Sequence, residues 1–422
     1  MNIRKSAFFL LDAMRGGKVK KHLKDIDQIN SDKTGELQNQ YLNRIMQYAC
    51  ENIPFYKGID SGNIKNFPVM DKSIYNKNKS AVINPQYDLS KLHFTSTSGS
   101  SGVPFKTYQD ANKKKRNNAD LITLLSSFGF ETGEKYVFIR SWVSLYNLSK
   151  LKMLKQNFIA IDVNTFDDNK KEKLRRLLHK DKKIKAIISY GSALEDFVSY
   201  LETQNDNMTD TNLKLISSSA DALADATKAR LEKMFGCPVT NRYSNEECGI
   251  LGNTKEGTTE ITLNTASYYF ELLDLEKDEP VKSGEIGRIV VTDLFNKAMP
   301  LIRYDLGDLG ISKDTKGGEG IKSLTSLQGR MDDVLKSSDG ILISSVTLST
   351  YMQEFQYIER YQLRKNKDGT LEMLIVSKQD ELSEVIKTLK KIFGEKYEIA
   401  VKKVREIPRE KTGKYKEIKV IK

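Results

Sequence analysis

The stretch "TSGSSGVP" (97–104) decides how the rest of the chain is read. Thr97, Ser98, Gly99, Ser100, Ser101 and Gly102 are all small or hydroxylated, and Pro104 closes the run. Such a run serves either as a solvated linker or as a loop wrapped around the phosphates of a nucleotide. In a phosphate loop each residue type has a task. Gly99 and Gly102 let backbone N–H groups come close to an anion, and the hydroxyls add further donors. Taken alone, the eight residues leave both readings open.

Working outward toward the C-terminus, short apolar segments alternate with helical ones. "KYVFIR" (135–140), "FIAID" (158–162), "IKAIISY" (184–190), "LKLISSS" (213–219) and "CPVTNRYS" (237–244) read as strands. "NKKEKLRRLLHKD", "ALEDFVSYLETQN" and "DATKARLEKMFG" read as the helices between them. This order predicts a mainly parallel sheet covered by helices on both faces. From about residue 260 the texture becomes β-rich, as in "GEIGRIVVTDL" and "PLIRYDLGDLGISKD", which suggests an antiparallel or barrel-like subdomain over 260–330. Beyond Gly329-Arg330 a small α+β unit begins, with a hairpin turning at Asp368-Gly369. The expected organisation is therefore α/β, with a large unit over 1–330 and a small one over 331–422.

Outward in the other direction, residues 1–92 form a helical lead-in. "TGELQNQYLNRIMQYACENIPFYK" carries a 3.6-residue apolar period at Leu37, Tyr41, Ile45 and Met46, and Asn52-Ile53-Pro54 should end that helix. The opening "MNIRKSAFFLLDAMRGGKVKK" has a short apolar stretch interrupted by Asp12 and no cleavage pattern. It reads as an amphipathic helix, either a solvated lid on the core or, beside "KVKKHLK", a peripheral contact with a membrane surface.

Composition removes several classes. Cys50, Cys237 and Cys248 make no CxxC pair, which suits a reducing compartment, and with three histidines in all a zinc site is not expected. No stretch approaches the roughly 20 apolar residues of a membrane span. The net charge of +12 does not point to nucleic acid, because the lysines of "ANKKKRNNAD" and similar segments are dispersed and no aromatic motif interleaves with them. They read as a solvated basic surface around an anionic substrate.

Five motifs then fall in one order: "TSGSSGVP", "YSNEECG" (243–249), "PLIRYDLGD" (300–308), "GRMDDVLKSSDG" (329–340) and "PREKTGK" (408–414). Together they resemble the adenylate-forming (AMP-forming) ligase superfamily, in its phenylacetate–CoA ligase-like, CapK-like branch. "YLNRIMQYACENIPFYK" also resembles the helix that opens that branch, so the likeness covers nearly the whole chain.

The resemblance implies a set of roles. Thr97, Ser98, Ser100 and Ser101, with Gly99 and Gly102, contact phosphate. Ser219, Ala220 and Asp221 line the nucleotide pocket. Tyr243 lies against adenine, Glu247 holds Mg²⁺, and Asp308 accepts the ribose hydroxyls through its two oxygens. Arg330 reaches ribose or phosphate, Asp332 is the hinge of the small domain, and Lys414 bridges carboxylate and α-phosphate. Three positions depart from the pattern: Val103 stands where a lysine is common, Glu246 replaces a hydroxyl, and Asp305 replaces a commonly basic residue. The segment "GILGNTKEGTTEITLNTASYYFE" lacks the His and Cys that some relatives use for zinc. Arg140 and Trp142 are candidates for the acid pocket.

The expectation is a cytoplasmic Mg²⁺- and ATP-dependent enzyme that activates a carboxylic acid and passes the acyl group to an amine of an amino sugar or amino acid, in surface-polysaccharide assembly. A CoA thiol as acceptor is the alternative. A non-catalytic nucleotide-binding assembly factor is a third, favoured by Val103 and Glu246.

Overall fold

The computed structural model describes residues 2–97, 105–142, 149–219, 221, 223–314, 320–352, 354–355, 357–380, 382–410 and 415–421. The lead-in forms helices Ile3–Met14, Lys18–Ser31 and Glu36–Asn52. The last of these buries Leu42, Ile45, Met46 and Ala49 on one face, and Ile53 takes an extended conformation before Pro54, as a residue preceding proline must. The Asp12 carboxylate accepts the Val19 and Lys20 N–H groups at 3.2 and 3.0 Å, which closes the start of the second helix.

Eight strands make the main sheet, in the order Ser323–Leu324, Ile261–Leu263, Gly249–Thr254, Val239–Asn245, Leu215–Ser219, Ile184–Tyr190, Lys135–Arg140, Phe158–Asp162. The last five are mutually parallel, and the first three join antiparallel beyond Val239–Asn245. The parallel strands read as near-continuous apolar runs because both faces are covered. Helices Asp168–Lys180, Gly191–Thr203 and Asp225–Phe235 pack against one side through Leu174, Phe197 and Leu231. Helix Ala111–Ser126 contributes Leu125 to the apolar cluster that includes Ala186, Ile188 and Leu215.

The β-rich stretch divides in a way its texture does not announce. Tyr268–Leu273, Ile286–Asp293, Tyr304–Ile311 and Ser326–Arg330 form a separate four-stranded antiparallel sheet. Ile261–Leu263 and Ser323–Leu324 instead extend the main sheet; the chain leaves it after Leu263 at a turn in which the Asn264 carbonyl accepts from Ser267 and Tyr268, and crosses again at Thr325. A short helical turn, Met331–Asp333, follows Arg330. After it, strands in the order Ile399–Lys403, Leu371–Ser377, Ile358–Lys365, Ile418–Val420 pack on helices Ser345–Met352 and Ser383–Phe393 around their own core of Leu363, Met373, Leu389 and Phe393. The hairpin turns at Gly369, whose φ of +88° suits glycine.

One surface expectation is corrected. Within "ANKKKRNNAD", Lys113 and Arg116 are fully buried. Lys113 Nζ lies 2.8 Å from an Asp293 carboxylate oxygen and donates to the Tyr268 hydroxyl at 2.9 Å. Arg116 donates to Ser267 Oγ at 2.7 Å and Ala266 O at 2.6 Å, with its guanidinium 3.9 Å above the Phe295 ring. These charges are internal ties between the 111–126 helix and the four-stranded sheet.

Candidate functional site

The five parallel strands end on one edge, and in open α/β sheets ligands sit outside those carboxyl ends. Strand Val239–Asn245 carries Tyr243 there, and the tight turn to Gly249–Thr254 places Glu247 beside it. The Cys248 N–H donates to Asn245 Oδ1 at 2.8 Å, and Gln109 donates to the Glu247 carbonyl at 3.0 Å, so the turn is held from both sides.

From the four-stranded sheet, Asp308 and Arg330 are direct cross-strand partners. The Tyr243 hydroxyl donates to Asp308 Oδ2 at 2.8 Å, and Arg330 Nε lies 3.1 Å from Oδ1. Three residues from three motifs thus share one carboxylate. Burial pushes the Asp308 carboxyl up, while Arg330 and the Tyr243 hydrogen bond pull it back. The Tyr243 phenol is held well above its ordinary value, first by burial and then by the Asp308 charge. A carboxylate has about four lone-pair positions, of which these two contacts take one on each oxygen.

Glu247 is buried and ion-paired with Lys72 Nζ at 2.7 Å, and it accepts from the Tyr304 hydroxyl at 3.2 Å. Both contacts fall on the same oxygen, Oε1. The Tyr304 ring lies 5.8 Å from that of Phe105, the first residue of strand Phe105–Gln109. That strand pairs with His93–Thr97, so the two ends of the hydroxylated loop are delivered to the Glu247 cluster. Ser98, Gly99, Ser100, Ser101 and Gly102 lie outside the described residues, as does Ala220.

Ser219 and Asp221 sit one strand away. Ser219 Oγ donates to the Ser189 carbonyl at 3.2 Å. Asp221 accepts from the Gly191 N–H and from Ser192 N and Oγ at 3.3 and 2.6 Å, capping the helix Gly191–Thr203. Burial raises its carboxyl, opposed by these donors and by Arg409. Asp332 is exposed, in the turn between the last strand of the four-stranded sheet and Leu335. Trp142 donates to Ile161 O at 3.1 Å and stacks on Phe158 at 5.8 Å, which is the packing of a core residue at a strand end.

The C-terminal unit reaches this edge through arginines. Arg409 pairs with Asp196 at 2.7 Å and bonds Ser192 Oγ, and Arg360 pairs with the other Asp196 oxygen. Lys416 Nζ lies 2.9 Å from Asp333, just behind Arg330 and Asp332. Lys414 lies outside the described residues, between these two anchors. Lys72, Tyr304, Asp196 and Arg409 were not singled out from the sequence. Tyr304 and Arg409 stand inside quoted motifs and could have been; Lys72 and Asp196 sit on helices with nothing to mark them.

Glu417 faces the same junction. Burial, then the nearby Glu195, push its carboxyl up to about 7, with Asp221 adding to the effect. A carboxyl raised in this way binds more protons in the docked state than in a released one. Docking is therefore strongest below the ordinary glutamate value of 4.5 and weakens as pH rises through about 7. The whole effect is at most about 3 kcal/mol. Limited proteolysis at the 331–334 turn should be faster at pH 8 than at pH 5.5, and Glu417→Gln should flatten the difference; an unchanged pH dependence would remove Glu417 from the account.

Among the described residues no three His, Cys, Asp or Glu side chains gather as a metal set, and no helix is long and apolar enough to cross a membrane. Residues 335–420 match the CapK C-terminal domain family. The chain is 26% identical to the protein CapK of Staphylococcus aureus over 383 residues, 84% of this chain and 81% of that one. It is 22% identical to the phenylacetate-coenzyme A ligase of Escherichia coli (strain K12) over 376 residues, 84% of each. The crystal structure of a 2-hydroxyisobutyryl-CoA ligase in the postadenylation state, in complex with R3-HIB-AMP, superposes with a TM-score of 0.70 at 16% identity, covering 92% of this chain and 89% of that one. The same enzyme in its thioesterification state, in complex with 2-HIB-AMP and CoA, gives 0.54 at 17% identity, over 90% of this chain and 88% of that one. The fold is the one shared by these adenylate-forming CoA ligases. In sequence, the chain is similar to CapK and to the phenylacetate-coenzyme A ligases.

Proposed function

We propose that the protein activates a carboxylic acid with ATP and passes the acyl group to an amine, on an amino sugar or amino acid destined for surface or capsular polysaccharide. In the first step a carboxylate oxygen of the acid attacks the α-phosphorus, the bond to the β-phosphate oxygen breaks, and pyrophosphate leaves. In the second, the amine nitrogen attacks the acyl carbon, AMP leaves, and the amine loses a proton.

The observation that carries the reading is the single carboxylate of Asp308, shared by Tyr243 and Arg330 beside Glu247 at the carboxyl edge of the sheet. Asp308 has lone pairs left for two ribose hydroxyls, Tyr243 presents a ring for the base, and Arg330 adds a cation for ribose or phosphate. The hydroxylated loop, Thr97 to Gly102, surrounds the phosphates, with Ser219, Ala220 and Asp221 at the pocket wall. Lys72 and Tyr304 both meet Glu247 at Oε1, so its carboxylate suits a Mg²⁺ ion, which needs only one or two carboxylates beside phosphate oxygens. When bound, the ion supplies charge neutralisation on the phosphates.

The chain divides in this reading into an ATP- and acid-binding domain, 1–330, and a mobile domain, 331–422, that turns about Asp332. The two Asp196 ion pairs tie the second domain to the helix Gly191–Thr203 of the first. The better superposition on the postadenylation state supports that arrangement. The amine acceptor rests on the resemblance of the motifs to the CapK-like branch and on the segment 249–271, which lacks His and Cys. A CoA thiol is the second reading, favoured by the phenylacetate-coenzyme A ligase relatives.

The test is acid-dependent pyrophosphate release from Mg²⁺-ATP across fatty, aryl, amino and sugar acids, each with no acceptor, with CoA and with amino sugars. Faster turnover with an amino sugar supports the proposal, and faster turnover with CoA replaces it with the second reading. ATP binding without pyrophosphate from any acid would mark a nucleotide-binding assembly factor. Asp308→Ala should weaken ATP binding by roughly 10–100-fold in calorimetry, since it removes hydrogen bonds to a charged acceptor. Unchanged ATP affinity would dissociate Asp308 from the ribose.

A further inference from the structure

Six of the eleven large apolar side chains exposed among the described residues lie on two short helices. Helix Ile3–Met14 turns Ile3, Leu10, Leu11 and Met14 outward, and helix Lys150–Gln156 turns out Leu151 and Leu154. Ile3, Leu10, Met14, Leu151 and Leu154 are each between 64% and 76% exposed. At 100° per residue Ile3, Leu10 and Met14 fall on one line along the first helix.

The first helix is fastened to the body by its other face. Asn2 donates to the Thr132 carbonyl at 3.0 Å, Lys5 pairs with Glu131 at 2.9 Å, and Phe8 packs with Val19 and Ala119. Arg4 donates to the Leu154 carbonyl at 2.8 Å, which sets the two helices side by side. The apolar stripe is therefore held outward on a fixed frame.

Charge around the stripe is mostly positive, with Glu131 the acid that pairs with Lys5. Residues 2–24 contain seven Lys or Arg and residues 149–156 three, against a single acid, Asp12. Asp12 is buried under the start of the next helix and does not face outward. Arg15, Lys18, Lys20, Lys21, Lys150 and Lys152 are all exposed beside the apolar residues. An exposed aliphatic stripe bordered by cations is complementary to an anionic lipid surface, where the apolar side chains enter the acyl boundary and the cations meet headgroups. It is poorly matched to a nucleic acid, which offers no apolar layer.

We infer that this face, formed by helices Ile3–Met14 and Lys150–Gln156, docks the protein in plane on an anionic membrane surface. Neither helix spans; the contact is peripheral. Each exposed cation near an anionic surface adds roughly fivefold to partitioning, which falls as salt rises.

The experiment is co-sedimentation of the full chain with vesicles of phosphatidylcholine mixed with phosphatidylglycerol, and with phosphatidylcholine alone, at low and high salt. The mixed vesicles should pellet the protein at low salt, and the neutral ones far less. The triple variant Leu10→Asp, Met14→Asp, Leu154→Asp should lower pelleting by about tenfold or more. These side chains are exposed, so its thermal unfolding should match the parent, which separates lost docking from lost fold. Lys18→Glu with Lys21→Glu should weaken binding to mixed vesicles and reduce its salt dependence. Absence of pelleting on mixed vesicles, or equal pelleting by the triple variant, would overturn the inference. So would a dimer, seen by sedimentation without lipid, that the triple variant dissolves while vesicle binding stays as it was, since the face would then serve a second copy of the chain.

Discussion

Lys414→Ala is expected to lower acyl-adenylate formation by roughly 10²–10³-fold while ATP affinity changes by no more than a few-fold. The asymmetry follows from where the charge is needed. In the proposed reaction negative charge builds on the α-phosphate and the attacking carboxylate as they meet, whereas the groups assigned to the nucleotide lie in the large domain. The flanks of Lys414 are fixed on both sides, with Arg409 on Asp196 and Lys416 on Asp333. Tyr415 is anchored too, its hydroxyl donating to the Tyr361 carbonyl. Truncating the lysine side chain leaves those anchors in place, so the loss is confined to chemistry. Acid-dependent exchange of labelled pyrophosphate into ATP measures the first step, and acyl transfer from a supplied adenylate measures the second. A large fall in the first with the second nearly intact is the expected pattern. Equal losses in both, or no loss in the first, would strip Lys414 of its role.

Lys113→Ala is expected to cost about 3–5 kcal/mol of stability, because it strands the fully buried Asp293 carboxylate without its cation. The change also removes the ammonium from the Tyr268 ring, 4.4 Å away, and from the Tyr268 hydroxyl. Urea unfolding followed by circular dichroism would register the shift. Pairing Lys113→Met with Asp293→Asn should recover most of the loss, since the second change takes away the orphaned charge while keeping an oxygen for the Phe295 N–H. If the single variant unfolds with the parent, the pair is not the tie between helix and sheet described above.

What could be read from the sequence depended on how local its cause was. Strands 135–140, 158–162 and 184–190 were legible to the residue, because each apolar run is bounded by charged or helix-forming neighbours. The helix ending at Asn52 was legible from Pro54. The gathering of Tyr243, Asp308 and Arg330 followed from the order of motifs, although no spacing says that they share one carboxylate. Lys113 and Arg116 were misread as surface because a lysine-rich helix gives no local sign that a partner 150 residues away will take its charge inward. The partition of residues 260–330 into two sheets was likewise hidden, since it turns on two crossings, at Asn264 and at Thr325, that no run of residue types marks. Lys72 as the partner of Glu247 left no trace at all.

The cross-strand pairing of Asp308 with Arg330 has a mechanical side. Arg330 is the last residue of its strand, and the proposed pivot, Asp332, comes two positions later. In the proposed function, a nucleotide that shares the Asp308 carboxylate would compete with Arg330 for its charge, and so would alter the tension on the strand end from which the second domain would swing. Linkage then runs in both directions: whatever ATP does to the freedom of the pivot, the angle of the pivot must do to the residence of AMP. The carboxylate that holds the sugar would also act as the clutch of the rotation.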